Sequence, residues 1–405
     1  MHLFTILLSM QIFFISALLG AVFVVETSAT QPVDELWLRI LLTALTCATV
    51  IAFAIFGTLW LLRRQHPRAC QIERLKRFHA WVWIAASGAI LCSFQWPAIV
   101  RYNLGLDRLI LIDELVIYLP VVLPLLGSWA AFSELHGRAN SSRRRRVDFV
   151  VHHARMYLAI VLIPLFAVFV VEDLIRLCSL DLGIRGVGHV LTVSALLVFL
   201  PWFLKGAWDA ERLPGGRLRG RLESISDAQN LRCRDFLLWK TNQRMVTAVV
   251  VGVFGPFRYV FLSDGLLKQF SNDEIEAVLL HEAGHVKRGH LWWRVLVALP
   301  PLLVSLLVWR ASGNVLAVGL GVAGLIGLSA FVLGWYSKRQ EHDADLWAVR
   351  QLALRPKLNE KSAIDLYIGV LENLRASNGL GHDQETWLHP SIARRVAVLR
   401  ACSFA

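Results

Sequence analysis

Long apolar runs recur along this chain, and they restrict its possible folds more than any other feature. Crossing the hydrocarbon layer of a bilayer as a helix takes about 20 apolar residues. Runs that reach or approach this length are residues 3–25, 40–62, 80–100, 109–132, 157–171, 190–204, 295–309 and 315–336. Of the 405 residues, 56% are hydrophobic and only 18% are charged. The sequence therefore predicts a mainly α polytopic membrane protein with about eight transmembrane helices.

The first run could instead be a secretory signal peptide, because the small residues Thr27, Ser28 and Ala29 follow it. Signal peptides begin with basic residues and have apolar cores of about 7–15 residues. No Lys or Arg precedes this run, and the run is longer than such a core. These two differences favour a retained membrane span.

Basic residues are concentrated in alternate loops of the predicted membrane region. The two basic loops contain Arg63, Arg64, Arg68, Arg74, Lys76 and Arg77, and then Arg138, Arg143, Arg144, Arg145, Arg146 and Arg155. Loops rich in Lys and Arg stay in the cytoplasm, so we expect the N-terminus and residues 205–290 to be cytoplasmic. The net charge of +12 is then explained by topology and by contact with anionic lipid. Nucleic acid is not expected as a partner.

The apolar pattern ends at Leu213-Pro214-Gly215-Gly216, and a water-compatible segment follows. A helix is predicted at 219–231, strands at 235–241, 245–252 and 258–262, and a polar helical tail after residue 336. The sequence thus predicts an N-terminal membrane domain of about six transmembrane helices at 1–207. It predicts a second domain at 208–405, which a transmembrane hairpin interrupts at about 295–336.

The segment His281-Glu282-Ala283-Gly284-His285 has the HExxH pattern of a metal-binding helix. Residues four apart share a helix face, so both imidazoles can reach one cation, and Glu282 can hold a water molecule beside it. The segment that begins at Ser271 has the form of a capping box and predicts the start of this helix. The pattern alone is weak, because a chain with 13 His residues can contain it by accident.

A third ligand is needed, and Glu341 is the best candidate. Two His and one carboxylate form a catalytic zinc site with a position left for water. Asp345 lies four residues further on the same predicted helix face, where it can accept the outer N–H of a ligand imidazole. The alternative is a solvated acidic helix start. The predicted hairpin favours the ligand, because it returns Glu341 to the side of the bilayer that carries His281.

The hairpin itself has an alternative, a buried pair of core helices, since its first run is short and contains Pro300 and Pro301. Tryptophan and arginine side chains flank that run, as they do at membrane interfaces. These flanking residues are Trp292, Trp293, Arg294, Trp309 and Arg310. The flanking pattern favours a membrane hairpin.

Residues 219–395 resemble the membrane-embedded zinc metallopeptidases that include the CAAX prenyl proteases and the HtpX-type heat-shock proteases. The resemblance is carried by "VTAVVVGVFGPFRYVFLSDGLL", "SNDEIEAVLLHEAGHVKRGH" and "EHDAD", and by the HPxxxxR segment from His389 to Arg395. His290 stands where prenyl-protease relatives also have histidine. One departure is Thr247-Ala248, where relatives usually have Asn-Ala on an edge strand.

The resemblance implies a small α+β, gluzincin-like zinc protease domain with one Zn²⁺ per chain. The implied residues are His281, His285 and Glu341 as zinc ligands, Glu282 as general base, Asp345 behind a ligand imidazole, His389 and Arg395 at a substrate carbonyl or oxyanion, and Thr247, Ala248 and Gly252 on the strand that holds the substrate. The departure at Thr247 puts an Asn-dependent contact to the substrate backbone in doubt.

Three residue assignments have plain alternatives. His290 could be an interfacial histidine, and His389 could be a surface residue before a helix that begins at Pro390. Asp113 and Glu114 lie within an apolar run, where charge is costly, so they mark a polar interior. That interior could be a substrate chamber or an ion-paired contact between helices.

The function predicted from these features is a zinc-dependent membrane endopeptidase that acts at the cytoplasmic face on membrane-associated or membrane-derived peptides and proteins. The alternative is a catalytically silent membrane sensor or scaffold that keeps the zinc-binding fold. A transporter would explain the spans but would leave the HExxH and ExxxD segments without a purpose. The sequence does not identify the substrate or the oligomeric state.

Overall fold

A computed structural model of the protein describes residues 31–64, 69–107, 109–139, 146–178, 182–243, 245–294, 296–297, 315–355, 358–379, 381, 383–385 and 388–401. These residues fall into two compact units, which meet along the chain between Ser194 and Ala195. The span predicted at 3–25 lies outside the described residues, as does nearly all of the one at 295–309. The domain boundary at 207 stays a prediction.

All the regular elements that the structure describes in the first unit are helices. Its helices are α1 (Leu36–Arg63), α2 (Ala69–Gly88), α3 (Trp96–Ala98), α4 (Ile112–Ala139), α5 (Arg146–His153), α6 (Ala159–Leu177) and the first part of α7 (Leu182–Ala207). Wider π-helical turns follow α2, α3 and α5, at Ala89–Ser93, Ile99–Asn103 and Ala154–Leu158. The long apolar helices α1 and α4 pack against each other.

Two helical segments are long and apolar enough to cross a membrane, Leu36–Arg63 and Ile112–Leu135. Arg74–Ser93 and Trp96–Asn103 together qualify as a third span, which is bent by 51°. The chain is therefore an integral membrane protein with two or three candidate spans among the described residues. The number predicted from the sequence, about eight, is not confirmed.

Asp113 and Glu114 form an ion-paired contact near the start of α4. The guanidinium of Arg101 lies 3.0 Å from Oδ2 of Asp113 and 3.4 Å from Oε1 of Glu114. Both carboxylates are buried, so an unpaired charge here would be costly. Of the two interpretations open from the sequence, the structure places these residues in an ion-paired contact.

The second unit contains a four-stranded sheet. Its strands are β1 (Ala210–Arg212), β2 (Asp235–Trp239), β3 (Ala248–Val251) and β4 (Tyr259–Ser263), in the spatial order β1-β2-β4-β3. β2 and β4 are parallel, whereas β1 and β3 are antiparallel to their neighbours. The three strands predicted from the sequence are present, and β1 is an addition. β3 is an edge strand, so one side of its backbone is not paired within the sheet.

The helices of this unit are α8 (Arg217–Ala228), α9 (Asp264–Gln269), α10 (Asn272–Lys287), α11 (Val315–Ala353), α12 (Glu360–Ser377) and α13 (Ile392–Ala401). α10 begins with the predicted capping box. The Ser271 hydroxyl accepts a hydrogen bond from the Glu274 N–H, and the Glu274 carboxylate accepts one from the Ser271 N–H at 2.8 Å. The box satisfies two N–H groups that the first helical turn leaves without partners.

α10 lies at the centre of the second unit and contacts β3, α8, α11 and α12. It approaches α11 closely at Gly284, where a Cβ atom would lie 3.2 Å from the Cα of Ala344. Small residues at this crossing bring the two helices together. The close approach places the HExxH segment beside Glu341.

Candidate active site

The side chains of His281, His285 and Glu341 converge between α10 and α11. The two Nε2 atoms are 3.3 Å apart. Oε1 of Glu341 lies 3.3 Å from Nε2 of His285, and Oε2 lies 3.6 Å from Nε2 of His281. All three residues are buried. The ligand set predicted from two distant segments of the sequence is thus brought together in space.

The triangle fits a tetrahedral zinc ion. Bonds of about 2.0–2.2 Å at tetrahedral angles place neighbouring donor atoms about 3.3–3.6 Å apart. Two imidazoles and a carboxylate are the donors that zinc takes in catalytic sites.

The pKa values in the site follow from burial and from neighbouring charge. Burial lowers the pKa of His285 to about 3, which keeps its imidazole neutral. Burial opposes ionisation of Glu341, but the nearby His389 and His285 outweigh it and hold the pKa of Glu341 well below its usual range. For His285 and Glu341, these are the protonation states that a metal requires of its ligands.

Glu282 lies on α10 next to His281 and faces the edge strand. Its Oε2 accepts a hydrogen bond of 3.2 Å from the backbone N–H of Val250 in β3. Burial raises the pKa of this carboxyl group, which makes it a stronger proton acceptor when it is ionised. The predicted general base is thus held between the ligand helix and the edge of the sheet.

Asp345 lies behind His281, as expected from its position one turn after Glu341. Its Oδ1 is 2.9 Å from Nδ1 of His281 and accepts a hydrogen bond of 2.6 Å from the Tyr367 hydroxyl. The guanidinium of Arg395 binds the other side of the carboxylate, with Nε 2.7 Å from Oδ2. Burial disfavours the ionised form, but Arg395 and His281 together hold the pKa of Asp345 below its usual range.

The two residues predicted at the substrate carbonyl occupy different places. Nδ1 of His389 lies 2.9 Å from Oε2 of Glu341, and the His389 side chain is partly exposed. Arg395 is 1% exposed, and its Nη1 is 3.6 Å from Oε2 of Glu341. The position of His389 is compatible with contact to a substrate. Arg395 is buried against Asp345, and this position favours a role in holding that carboxylate over a direct contact with a substrate.

The predicted substrate strand is the edge strand β3 with its flanking residues. The Thr247 N–H donates to the Ser263 side chain and its C=O accepts from the Ser263 N–H, each at 3.0 Å. Backbone groups alternate sides along a strand, so those of Ala248 and Val250 face the free edge. Gly252, with φ of +114°, ends the strand, and its C=O accepts from Nε of Arg258 at 3.0 Å.

Four contributors to the site were not predicted from the sequence in their present roles. Tyr367 contacts Asp345, Val250 holds Glu282, and His290 and Asp343 lie behind His285. The histidine was noted only for its position in the resembling family. No local pattern marks Tyr367 or Val250. Asp343 is part of the acidic segment around Glu341, but spacing alone did not assign it a role.

The comparison with known families concerns the part of the chain that carries this site. Residues 215–403 match the family model described as "Peptidase family M48". This segment is an M48 peptidase domain. The match confirms the family resemblance predicted from residues 219–395.

Curated relatives of the M48 domain include proteins named "Protease HtpX". That of Stutzerimonas stutzeri is 33% identical over 141 residues, which cover 30% of this chain and 44% of the relative. That of Pseudomonas paraeruginosa is 29% identical over 171 residues, which cover 35% of this chain and 58% of the relative. The chain spans about half the length of the curated relatives that it matches.

Among solved structures, a crystal structure of S. mikatae Ste24p matches 91% of this chain and 99% of its own chain. The sequence identity is 16% and the TM-score is 0.48.

Proposed function

We propose that this protein is a zinc-dependent membrane endopeptidase. It would hydrolyse peptide bonds of membrane-associated or membrane-derived proteins at the cytoplasmic face. The observation that carries the proposal is the buried triangle of His281, His285 and Glu341, with Glu282 beside it and held by the edge of the sheet. The HtpX relatives of the M48 domain are named as proteases, which supports the same activity.

One Zn²⁺ per chain would be held by His281, His285 and Glu341. When bound, zinc supplies a Lewis acid that polarises a carbonyl group and lowers the pKa of water to about 7. Glu282 would accept the proton of the attacking water and deliver it to the nitrogen of the departing amine. The hydrogen bond from Val250 holds the carboxylate in place for both transfers.

The substrate would bind as an added strand along β3. The backbone groups of Ala248 and Val250 that face away from β4 would pair with an extended peptide. Two of them already have partners within the domain: the Val250 N–H donates to Glu282, and the Ala248 C=O accepts from the Thr247 hydroxyl at 3.2 Å. Main-chain pairing of this kind gives affinity without demanding a particular sequence. His389, which is partly exposed beside Glu341, would contact the carbonyl of the scissile bond.

The membrane arrangement that we propose has a membrane domain at 1–207 and a peptidase domain at 208–405, with a transmembrane hairpin at about 295–336. Contacts between the two ends of that hairpin support it. The rings of Trp293 and Tyr336 are 6.0 Å apart, and Nε of Arg294 donates to the Gln340 side chain at 3.1 Å. Trp292 and Trp293 are about half exposed, as expected of tryptophans at a membrane interface.

The experiment that tests the activity compares the wild type with Glu282→Gln, purified in detergent and assayed on unfolded membrane-protein substrates. The amide keeps the shape of the carboxylate but cannot accept the proton, so we expect zinc content to be unchanged and cleavage to be lost. Glu274→Gln, at the start of the same helix, is the matched control and should cleave normally.

Proteolysis by Glu282→Gln at the wild-type rate would overturn the role of this residue. A zinc-loaded wild type that cleaves no peptide would favour the silent sensor or scaffold instead.

The orientation is tested separately with a single cysteine placed at the exposed Ser224 of α8, after removal of the native cysteines. A membrane-impermeant maleimide should label this cysteine in inverted vesicles and not in intact cells. The reverse pattern would contradict a cytoplasmic peptidase domain.

A further inference from the structure

A second imidazole lies directly behind the ligand imidazole of His285. Nδ1 of His290 is 2.9 Å from Nδ1 of His285, and Nε2 of His290 is 3.1 Å from Oδ2 of Asp343. We propose that His290 and Asp343 are positioning residues that fix the tautomer and the ring orientation of His285 through this chain of hydrogen bonds. The inference rests on the proposed zinc site, and it adds a support that acts on the second histidine ligand.

The positions of the atoms determine where the protons lie. Nε2 of His285 faces Oε1 of Glu341 and Nε2 of His281, each at 3.3 Å, so Nε2 is the atom that faces the metal position. A neutral imidazole that offers the Nε2 lone pair carries its proton on Nδ1. Nδ1–H of His285 therefore donates to Nδ1 of His290.

His290 must then carry its own proton on Nε2, because its Nδ1 is already an acceptor. That Nε2–H points at Asp343, whose carboxylate accepts hydrogen bonds and has no proton to donate. The opposite direction would place a proton on Nε2 of His285, where the metal binds. Asp343 thus selects the tautomer of His290, and His290 selects the tautomer of His285.

The backbone conformation brings His290 back to His285. α10 ends at Lys287, and Gly289 adopts φ of +72°, a left-handed conformation that favours glycine. The helix is interrupted at this turn, and the residue five positions after His285 packs against it. The C=O of His290 accepts a hydrogen bond of 3.4 Å from the Gln340 side chain, and the His290 side chain is buried. This burial argues against a histidine that merely lies at the membrane interface.

The two histidine ligands are supported in different ways. His281 contacts Asp345 directly, and Asp345 is 1% exposed. On its Nδ1 side, His285 reaches a carboxylate through the ring of His290. That carboxylate, Asp343, is 38% exposed and also pairs with Arg288 at 3.1 Å. The three acidic residues of the segment 341–345 thus have different positions. Glu341 faces the metal position, Asp345 supports His281, and Asp343 supports His285 through His290.

The experiment uses the full-length protein in detergent and measures two properties that do not depend on cleavage. The first is the apparent dissociation constant for zinc, obtained by competition with a chelator. The second is the visible absorption spectrum after Co²⁺ replaces zinc, because the spectrum reports the orientation and strength of the ligands. Partners behind metal ligands contribute about 10–100-fold to metal affinity.

The variants are chosen by their hydrogen-bonding capacity. His290→Phe keeps the ring and removes both bonds, so we expect zinc affinity to fall about 10–100-fold and the Co²⁺ spectrum to change. His290→Gln can accept at its oxygen and donate from its nitrogen, so affinity and spectrum should stay near those of the wild type. Arg288→Ala removes the other partner of Asp343 and is the matched control, with no expected change in either property.

Asp343→Ala provides an independent test that leaves both histidines in place, and it decides the question if His290→Phe does not fold. We expect it to weaken zinc binding in the same direction as His290→Phe. Wild-type zinc affinity and an unchanged spectrum in Asp343→Ala would overturn the inference while leaving the proposed protease intact. Failure of the wild type to bind zinc would overturn both.

Discussion

Arg395 and Asp345 form a fully buried ion pair directly behind His281. Nε of the guanidinium is 2.7 Å from Oδ2 of the carboxylate, and Nη2 also bonds Oδ1. Both side chains are 1% exposed. The pair joins the last helix, α13, to the helix that supplies Glu341, so the end of the M48 domain is tied to the metal site.

Replacing Arg395 by Ala should destabilise the domain strongly, since it leaves the Asp345 carboxylate buried without its cation. Breaking one side of a buried ion pair costs about 3–5 kcal/mol. Arg394→Ala is the control, because Arg394 is 62% exposed and pairs with Glu385 at the surface, where such pairs contribute less than about 1 kcal/mol. The measurement is the free energy of unfolding in detergent, and equal losses in the two variants would contradict the prediction.

Gly284→Ala should weaken the packing of α10 on α11. A Cβ atom at this position would lie 3.2 Å from the Cα and 3.3 Å from the O of Ala344, which are backbone atoms with little freedom to move. Overpacking of this kind costs about 1–3 kcal/mol. Because the two helices carry the zinc ligands, zinc affinity should fall together with the unfolding temperature.

Gly369→Ala on α12 is the control for Gly284→Ala. A Cβ atom at Gly369 would meet no neighbouring atom within 4 Å, and alanine favours a helix over glycine by about 1 kcal/mol. We expect this variant to be at least as stable as the wild type. Equal effects of the two substitutions would show that the close helix approach is not the cause.

The capping box should make the stability of α10 depend on pH. Partial burial raises the pKa of Glu274, but the hydrogen bonds from Ser271 and Asn373 outweigh it and lower the pKa below the ordinary value of 4.5. A carboxyl group with a lowered pKa in the folded state stabilises the fold above its ordinary pKa, and this contribution is lost as the pH falls through the folded value.

Glu274→Gln isolates this effect, because glutamine can reach back to Ser271 but does not titrate. The Tm of the wild type should exceed that of the variant at pH 7, and the difference should shrink as the pH falls below 4.5. A difference in Tm that stays constant from pH 7 to pH 3 would mean that the Glu274 charge contributes nothing.

Peptides that pair with β3 should be sensitive to N-methylation at alternate residues. Only every second residue of an added strand turns its N–H toward Ala248 and Val250. A methyl group on one of these nitrogens removes one hydrogen bond of about 0.5–1.5 kcal/mol, so the inhibition constant should rise about 2–13-fold. Methylation of the intervening residues is the control. An inhibition constant that rises equally for methylation at either set of residues would argue against strand addition.

Local features of this chain could be predicted because they depend on residues close in the sequence. The spacing of His281 and His285 places both on one helix face, and the capping box of Ser271 and Glu274 lies within a single turn. The predicted strands are present within a few residues of their predicted ends. Predicting the third ligand, Glu341, also required the known chemistry of zinc sites and the family resemblance.

Tyr367 and Asp343 could not be predicted as supports of the ligands, because each contacts a residue that is distant in the sequence. Tyr367 lies 86 positions from His281, and Asp343 lies 53 positions from His290. A tyrosine and an aspartate on separate helices carry no pattern that distinguishes them from surface residues. The role of Arg395 at the substrate stays a prediction, and its ion pair with Asp345 was not predicted from the sequence.

The sequence alone determined that the chain lies in a membrane and carries a metal-binding helix, because hydrophobic length and helical spacing are properties of short segments. The tertiary structure decided which groups surround each ligand. In the folded domain, the Val250 N–H donates to Glu282, Asp345 contacts Nδ1 of His281, and His290 contacts Nδ1 of His285. These contacts depend on how α10 packs against α11 and the edge strand, and side-chain packing across distant segments is set only when the whole domain folds.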